Sequence, residues 1–169
     1  MGYAGGSKDH PTYRDLGDHS EAIEIGYDPT RISFDELLEA FWKGHRPAET
    51  MGSRQYRSAI FVAGAEERQA AELSVARAEE RLGRSVHTAV EEVGAFWQAE
   101  DYHQKYQLRR DGDVWKQLSA AYPDVDDLVL STAAARLNGW SSGGGDPEQV
   151  RRELPLVGLT KSVQRRLQR

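Results

Sequence analysis

None of the 169 residues is a cysteine, which restricts both how such a chain can be held together and what chemistry it can do. Disulfides, thiolate metal sites, iron–sulfur clusters and a cysteine nucleophile are excluded for these residues. Stability must come from a core. The length lies near the ~150 residues of a typical domain, enough to bury roughly two-thirds of the unfolded surface without staples. With 38% hydrophobic and 29% charged residues, and a net charge of -5 from 22 basic and 27 acidic side chains, the composition fits a moderately acidic globular protein and argues against one that coats a nucleic acid duplex. No apolar run reaches the ~18 residues of a bilayer span, and the opening MGYAGGSKDH lacks the charged and apolar regions of a signal peptide. The expectation is a cytoplasmic protein that binds neither nucleic acid nor membrane.

Periodicity supplies the order of elements. Gly2, Gly5, Gly6, Pro11 and Gly17 punctuate the first twenty residues, which read as loop. From Glu21 the pattern alternates, with Glu21, Ile23, Ile25 and Tyr27 on one face, and predicts a half-buried strand ending at Asp28-Pro29. Ser33 followed by Glu36 is a capping-box signature, and Phe34, Leu37, Leu38, Phe41 and Trp42 form one apolar helical stripe. Residues 57–63 read as a buried strand, 65–82 as a charged helix stopped by Gly83, and 86–93 as a weaker strand. Further helices are expected over 95–109, carrying Phe96, Trp97, Tyr102 and Tyr106, and over 126–138, with another opened by Asp146-Pro147. The SSGGG stretch at 141–145 reads as a flexible break, and a basic helical tail follows, ending in Arg165, Arg166 and Arg169. Strands alternating with helices predict an α/β chain, arranged as an α+β two-layer sandwich whose sheet looks one or two strands short.

Few residues suggest chemistry. If the first strand begins early, His19 and Glu21 share the face of Ile23 and Ile25, and Glu21 continues an apolar stripe. A carboxyl group at such a margin suits proton donation near neutral pH. A strand-end glutamate that reaches water or pairs with an arginine fits the spacing too, and both readings stay open. Tyr13 and Tyr56 lie in polar, turn-rich contexts, PTYRDLG and SRQYRSA, where a phenol either donates a hydrogen bond into a pocket or bridges core and surface. His10, His19, His45, His87 and His103 show no HxxxH-type spacing, so no metal site is expected. The arginines of the tail, with Glu148 and Glu153 close by, read as a solvated helix face.

Taken in order, the blocks GYAGG, PTYRDLGDHSEAIEIGYDP, ISFDELLEAFWKGHRP, QYRSAIF and AEDYHQKY resemble the peptide-methionine (S)-S-oxide reductases, the A-type methionine sulfoxide reductases. The likeness runs from Gly2 to Tyr106, and AARLNGW from Ala133 onward resembles the C-terminal extension of a longer branch. The resemblance implies a reductase-type domain over residues 1–110 that lacks its N-terminal catalytic-cysteine segment, and a helical C-terminal extension over 111–169. It also implies a two-layer sandwich related to the ferredoxin-like arrangement, with the first strand and helix of the family fold missing. The implied activity is reduction of methionine (S)-sulfoxide, free or in proteins, as repair of oxidative damage. The implied protein is a monomer with no bound cofactor, and thioredoxin or another thiol is the reductant.

Matched by motif, the family's acid falls on Glu21 and its two tyrosines on Tyr13 and Tyr56; His19, Tyr13 and Tyr56 are the implied substrate-binding residues. Two departures stand out. Only RPAETMGSR joins His45 to Gln55, so the aspartate that usually lines the family's pocket there has no counterpart. The family's GCFWG segment, which supplies the nucleophile and the Phe-Trp walls for the substrate methyl group, precedes GYAGG. Since the family typically reads VGYAGG where this chain reads MGYAGG, and a GTG valine codon can be taken as an initiator, the expectation is a misplaced start at Met1 and a chain inactive as written. The alternatives are a non-catalytic domain that binds methionine sulfoxide and a protein-interaction domain that docks through its C-terminal helices.

Overall fold

The capping-box signature is realised. Ser33 Oγ accepts from the Glu36 backbone N–H at 3.2 Å, and Glu36 Oε2 accepts from the Ser33 N–H at 2.8 Å, opening helix α1 (Phe34–Lys43). Each half of such a box satisfies an otherwise orphaned donor at the helix start. The computed structural model describes residues 1–50 and 52–168, so Met51 of the linker and Arg169 of the tail lie outside the described residues. The chain divides into two units, Met1–Glu100 and Asp101–Arg169.

In the first unit, β1 (Gly2–Ala4), β2 (Ser20–Ala22), β3 (Ala59–Val62), α2 (Ala65–Leu82), β4 (Ala89–Glu92) and β5 (Trp97–Gln98) join α1. β3 and β4 pair in parallel from Ala59↔Ala89 to Val62↔Glu92, and α2 is the crossover that a parallel pair requires. The apolar stripe of α1 packs Leu38 and Trp42 with Ile60, Val62, Ala71 and Ala78. Trp42 Nε1 is satisfied inside this core by Ser74 Oγ at 3.0 Å, and Ser74 in turn donates to the Ala71 carbonyl at 2.7 Å. A second, antiparallel sheet has the order β2-β1-β5.

The second unit is helical: α3 (Tyr106–Arg110), α4 (Gly112–Ala121), α5 (Val125–Leu130), α6 (Thr132–Ser141), α7 (Pro147–Glu153) and α8 (Lys161–Leu167). Leu108, Leu118, Leu128, Leu137 and Leu154 form its buried centre. Asp146 caps α7, accepting from Glu148 N and Gln149 N, with Pro147 at the first position, as its sequence predicts. The overall class is α/β, as expected.

Several expectations are corrected. Gly2–Ala4, read as loop, is the middle strand of its sheet, with Tyr3 only 1% exposed. Glycine obscured the strand signal and is also what permits the strand: a Cβ on Gly2 would lie 2.3 Å from the Phe96 ring and 2.5 Å from the Trp97 carbonyl oxygen. The strand predicted through Tyr27 ends at Ala22. Because Gly2 pairs with Ala22, residues 23–27 run past the end of the partner strand, and Ile23 and Ile25 are exposed by 69% and 53%. The helix predicted over 95–109 is instead β5, a 3-10 turn (Asp101–His103) and α3, since Trp97 pairs with Tyr3 and Lys105 takes a left-handed φ of 51°. The helix predicted over 126–138 breaks at Ser131. The extended Ser131 backbone ends α5 while its hydroxyl caps α6, accepting from the Ala134 N–H; a serine that can bond its own backbone competes with helix continuation.

Candidate active site

A loop held from inside carries the first tyrosine. His19 is 1% exposed, and both of its ring nitrogens are engaged. The Gly6 N–H donates to Nδ1 at 3.2 Å, and Nε2 donates to the Lys8 carbonyl at 2.8 Å, so the partners fix the tautomer with the proton on Nε2. A Cβ on Gly6 would lie 2.6 Å from the His19 ring, which is why glycine stands there. Asp18 accepts from the Ser7 N–H at 2.8 and 3.0 Å and from the Lys8 N–H at 3.3 Å. These donors, the Ser7 backbone first, lower its pKa to about 2. Lys8 also pairs with Asp15, which closes a tight turn with Thr12.

Tyr13 sits on that turn. Its backbone N–H donates to Glu100 Oε1 at 3.1 Å, while Glu100 Oε2 accepts from the buried Tyr3 hydroxyl at 2.5 Å. One carboxylate thus ties the turn to the middle strand.

Glu21 lies on β2, half-buried. The 3-10 turn (Arg54–Tyr56), started by the Ser53 hydroxyl accepting from Gln55 N, brings Gln55 and Tyr56 to it. Gln55 Nε2 donates to Glu21 Oε1 at 2.6 Å and to the Tyr56 hydroxyl at 3.1 Å, and the Tyr56 and Tyr13 hydroxyls are 3.3 Å apart. Three of the residues singled out from sequence, Glu21, Tyr13 and Tyr56, therefore form one hydrogen-bonded group. The Tyr56 pKa is pushed up to about 12, first by the hydrogen bond with Tyr13, then by burial and by the negative charge of Glu21. The two rings remain 39% and 46% exposed, so a ligand has a way in. His19 stays apart from this group, within the loop.

The turn is fastened from behind. Arg54 donates to the Asp18 carbonyl at 2.6 Å and to the Gly5 carbonyl at 3.0 Å. Ser20 Oγ, one residue before Glu21, donates to the Arg54 carbonyl at 2.9 Å and accepts from Arg57 Nε at 2.8 Å. Arg57 grips Glu91 with both terminal nitrogens, one at 2.6 Å, and holds that carboxyl below its usual range. Sequence reasoning singled out none of Asp18, Gln55, Arg57, Glu91 and Glu100 as site residues. The nearest signal was position: Asp18, Gln55 and Arg57 flank the chosen tyrosines and histidine, and Glu100 lies in the AEDYHQKY block. A cavity of about 390 Å³ at Trp42, His45, Arg46 and Arg81 includes none of these groups. Among the described residues no three His, Asp or Glu side chains are grouped as a metal site would need, and no helix is long and apolar enough to cross a membrane.

An α/β unit that links a carboxyl group and two phenols through hydrogen bonds brings together groups able to bond an oxygen. The family of known proteins that matches this chain is described as peptide methionine sulfoxide reductase, over residues 1–127, and the chain belongs to that family. A peptide methionine sulfoxide reductase of Drosophila melanogaster is 43% identical over 162 residues, covering 95% of this chain and 65% of its own length. Peptide methionine sulfoxide reductase A5 of Oryza sativa subsp. japonica is 43% identical over 148 residues, 84% of this chain and 58% of its own. The chain thus spans about three-fifths of these relatives' length. Among solved structures, the reduced form of Mxr1 from Saccharomyces cerevisiae superposes with a TM-score of 0.60 at 27% identity, over 66% of this chain and 69% of that one.

Proposed function

We propose that the Glu21, Tyr13 and Tyr56 group takes the S–O oxygen of methionine (S)-sulfoxide, free or in a protein, and activates it for reduction to methionine. The observation that carries this reading is the hydrogen-bonded run from Glu21 through Gln55 and Tyr56 to Tyr13, with both phenols partly exposed. A sulfoxide oxygen is a poor leaving group until it is protonated. Tyr13 and Tyr56 donate hydrogen bonds to it, and Glu21 supplies the proton as a neutral acid. His19 contributes to substrate binding by ordering the loop that carries Tyr13.

The reduction itself is a thiol step. A thiolate attacks the sulfoxide sulfur, the protonated oxygen passes to the thiol as a sulfenic acid, and the electron pair of the broken S–O bond stays on methionine as the thioether. A second thiol then condenses with the sulfenic acid to a disulfide and water. None of the 169 residues supplies the first thiol. Thioredoxin or another thiol system is the final donor, which places the protein in the reducing cytoplasm, where it works as a monomer. The absence of cysteine favours one second reading: these 169 residues bind methionine sulfoxide without turning it over.

Titration calorimetry of the 169-residue chain with the two sulfoxide epimers of N-acetylmethionine tests the site. Binding of the S epimer, weakened by Glu21→Gln and discriminated from the R epimer, is expected, with no methionine formed when dithiothreitol is added. Equal indifference to both epimers would sink the site assignment, and turnover by this chain would sink the reading that the first thiol lies outside these residues.

A further inference from the structure

The Gln55 amide occupies the point from which the acid and one phenol can be touched together. Its Nε2 lies 2.6 Å from Glu21 Oε1 and 3.1 Å from the Tyr56 hydroxyl, both hydrogen-bond lengths. An ionised carboxylate only accepts, so the amide presents its nitrogen, and both hydrogens are used, one on each partner. An oxygen bound between Glu21 Oε1 and the Tyr56 hydroxyl approaches the same two atoms. Two heavy atoms cannot share that place.

Resting on the function proposed above, we propose that the Gln55 carboxamide is a built-in stand-in for the sulfoxide oxygen, seated in the empty site and displaced when the ligand enters. The exchange reverses every hydrogen bond at the point. Gln55 gives hydrogens to Glu21 and Tyr56, whereas the S–O oxygen accepts, so the same two side chains must now give. Tyr56 does this with its own hydroxyl hydrogen, since its bond to the Tyr13 hydroxyl at 3.3 Å can run in either direction. Glu21 does it by taking a proton from solvent, so one proton enters with each ligand and no covalent bond between heavy atoms changes. The product thioether offers no comparable acceptor, and the amide then returns, which favours release.

The other ionisable groups around Glu21 are already committed. Tyr3, opposite it on β1, donates to Glu100. His19 bonds Gly6 and Lys8, Arg54 bonds the Gly5 and Asp18 carbonyls, and Arg57 bonds Ser20 and Glu91.

The side-chain amide of Gln55 is followed by NMR in the unaltered chain during titration with N-acetylmethionine (S)-sulfoxide, and proton uptake by calorimetry in buffers of different ionisation enthalpy. The amide signals are expected to move to those of a solvated amide, with uptake of about one proton per ligand near neutral pH. Gln55→Ala, with two hydrogen bonds fewer to give up, is expected to bind about tenfold more tightly or better. Amide signals that keep their free-state positions at saturation, or weaker binding by Gln55→Ala, would overturn the stand-in role and leave the function standing. No sulfoxide binding by either protein removes both.

Discussion

Tyr13 and Tyr56, 43 positions apart in the chain, bring their hydroxyls within 3.3 Å of each other, and this pairing is the first of the causes that push the Tyr56 phenol up from its ordinary 10.0 to about 12. Two phenols this close share one hydrogen between them. Ionising Tyr56 removes the donor and sets a second negative charge beside Glu21.

Tyr13→Phe removes the leading cause, so the Tyr56 midpoint is expected to fall from about 12 toward 10.0, read as tyrosinate absorbance against pH. The sign for stability follows from the direction. A phenol whose folded pKa is raised stabilises the fold fully below the unfolded value, and the contribution is lost as pH climbs from 10.0 through about 12. The variant should lose less stability across that window than the parent. A Tyr56 midpoint that stays near 12 in the variant would show that the hydroxyl pair is not the cause.

Asp18 works in the opposite sense at the acid end. Its pKa is lowered from 3.8 to about 2, first by the Ser7 backbone N–H. The stabilisation it gives is complete above 3.8 and is lost as pH falls through about 2. Asp18→Asn keeps an acceptor oxygen without the charge. Urea midpoints measured from pH 5 to 2 should therefore fall less steeply for the variant, and parallel curves would count against the assignment.

What the sequence made legible was whatever local rules decide. The capping box at Ser33, the stripe from Phe34 to Trp42, the stop at Gly83 and the Asp146-Pro147 start are each settled by a few adjacent residues, and the structure has them all. Ser131 and Trp97 depart from the predicted helices because the outcome depends on something outside the local pattern. A serine can cap or continue a helix, and Trp97 becomes strand only because Tyr3 lies beside it. The same division runs through the site. Glu21, Tyr13 and Tyr56 are marked by motif blocks, but Glu100, 87 positions from Tyr13, and Glu91, 34 from Arg57, enter through pairings that no spacing announces. Gln55 escaped notice because an uncharged amide between two motif residues carries no signal of its own.

Gly2 offers a test of the middle strand. Adding one methyl group there meets the Trp97 carbonyl oxygen at 2.5 Å and the Phe96 ring at 2.3 Å, and a backbone oxygen cannot turn aside as a side chain can. Gly2→Ala is expected to cost about 1–3 kcal/mol in urea unfolding, the usual range for overpacking. An unchanged midpoint would mean that β5 does not lie against β1 as described.

Arg57→Lys separates charge from geometry at the support behind the site. The guanidinium makes three directed contacts, two to Glu91 and one through Nε to Ser20 Oγ, and Ser20 in turn holds the Arg54 carbonyl of the turn that carries Gln55 and Tyr56. A lysine keeps the positive charge but has a single nitrogen, so it can face Glu91 or Ser20 and not both in the planar fork that arginine provides. If the contact to Glu91 alone mattered, the lysine variant would behave nearly as the parent does, since the pair is partly solvated, with side chains 18% and 34% exposed. If the link through Ser20 matters, the turn loosens. We expect a loss of about 1–2 kcal/mol in stability, comparable to one or two hydrogen bonds, together with weaker (S)-sulfoxide binding, although the Arg57 guanidinium bonds Ser20 and Glu91 rather than Glu21 or the two phenols. Ser20→Ala should reproduce the binding loss with the Glu91 pair intact. Full affinity in Ser20→Ala would show that the 54–56 turn needs no such tether.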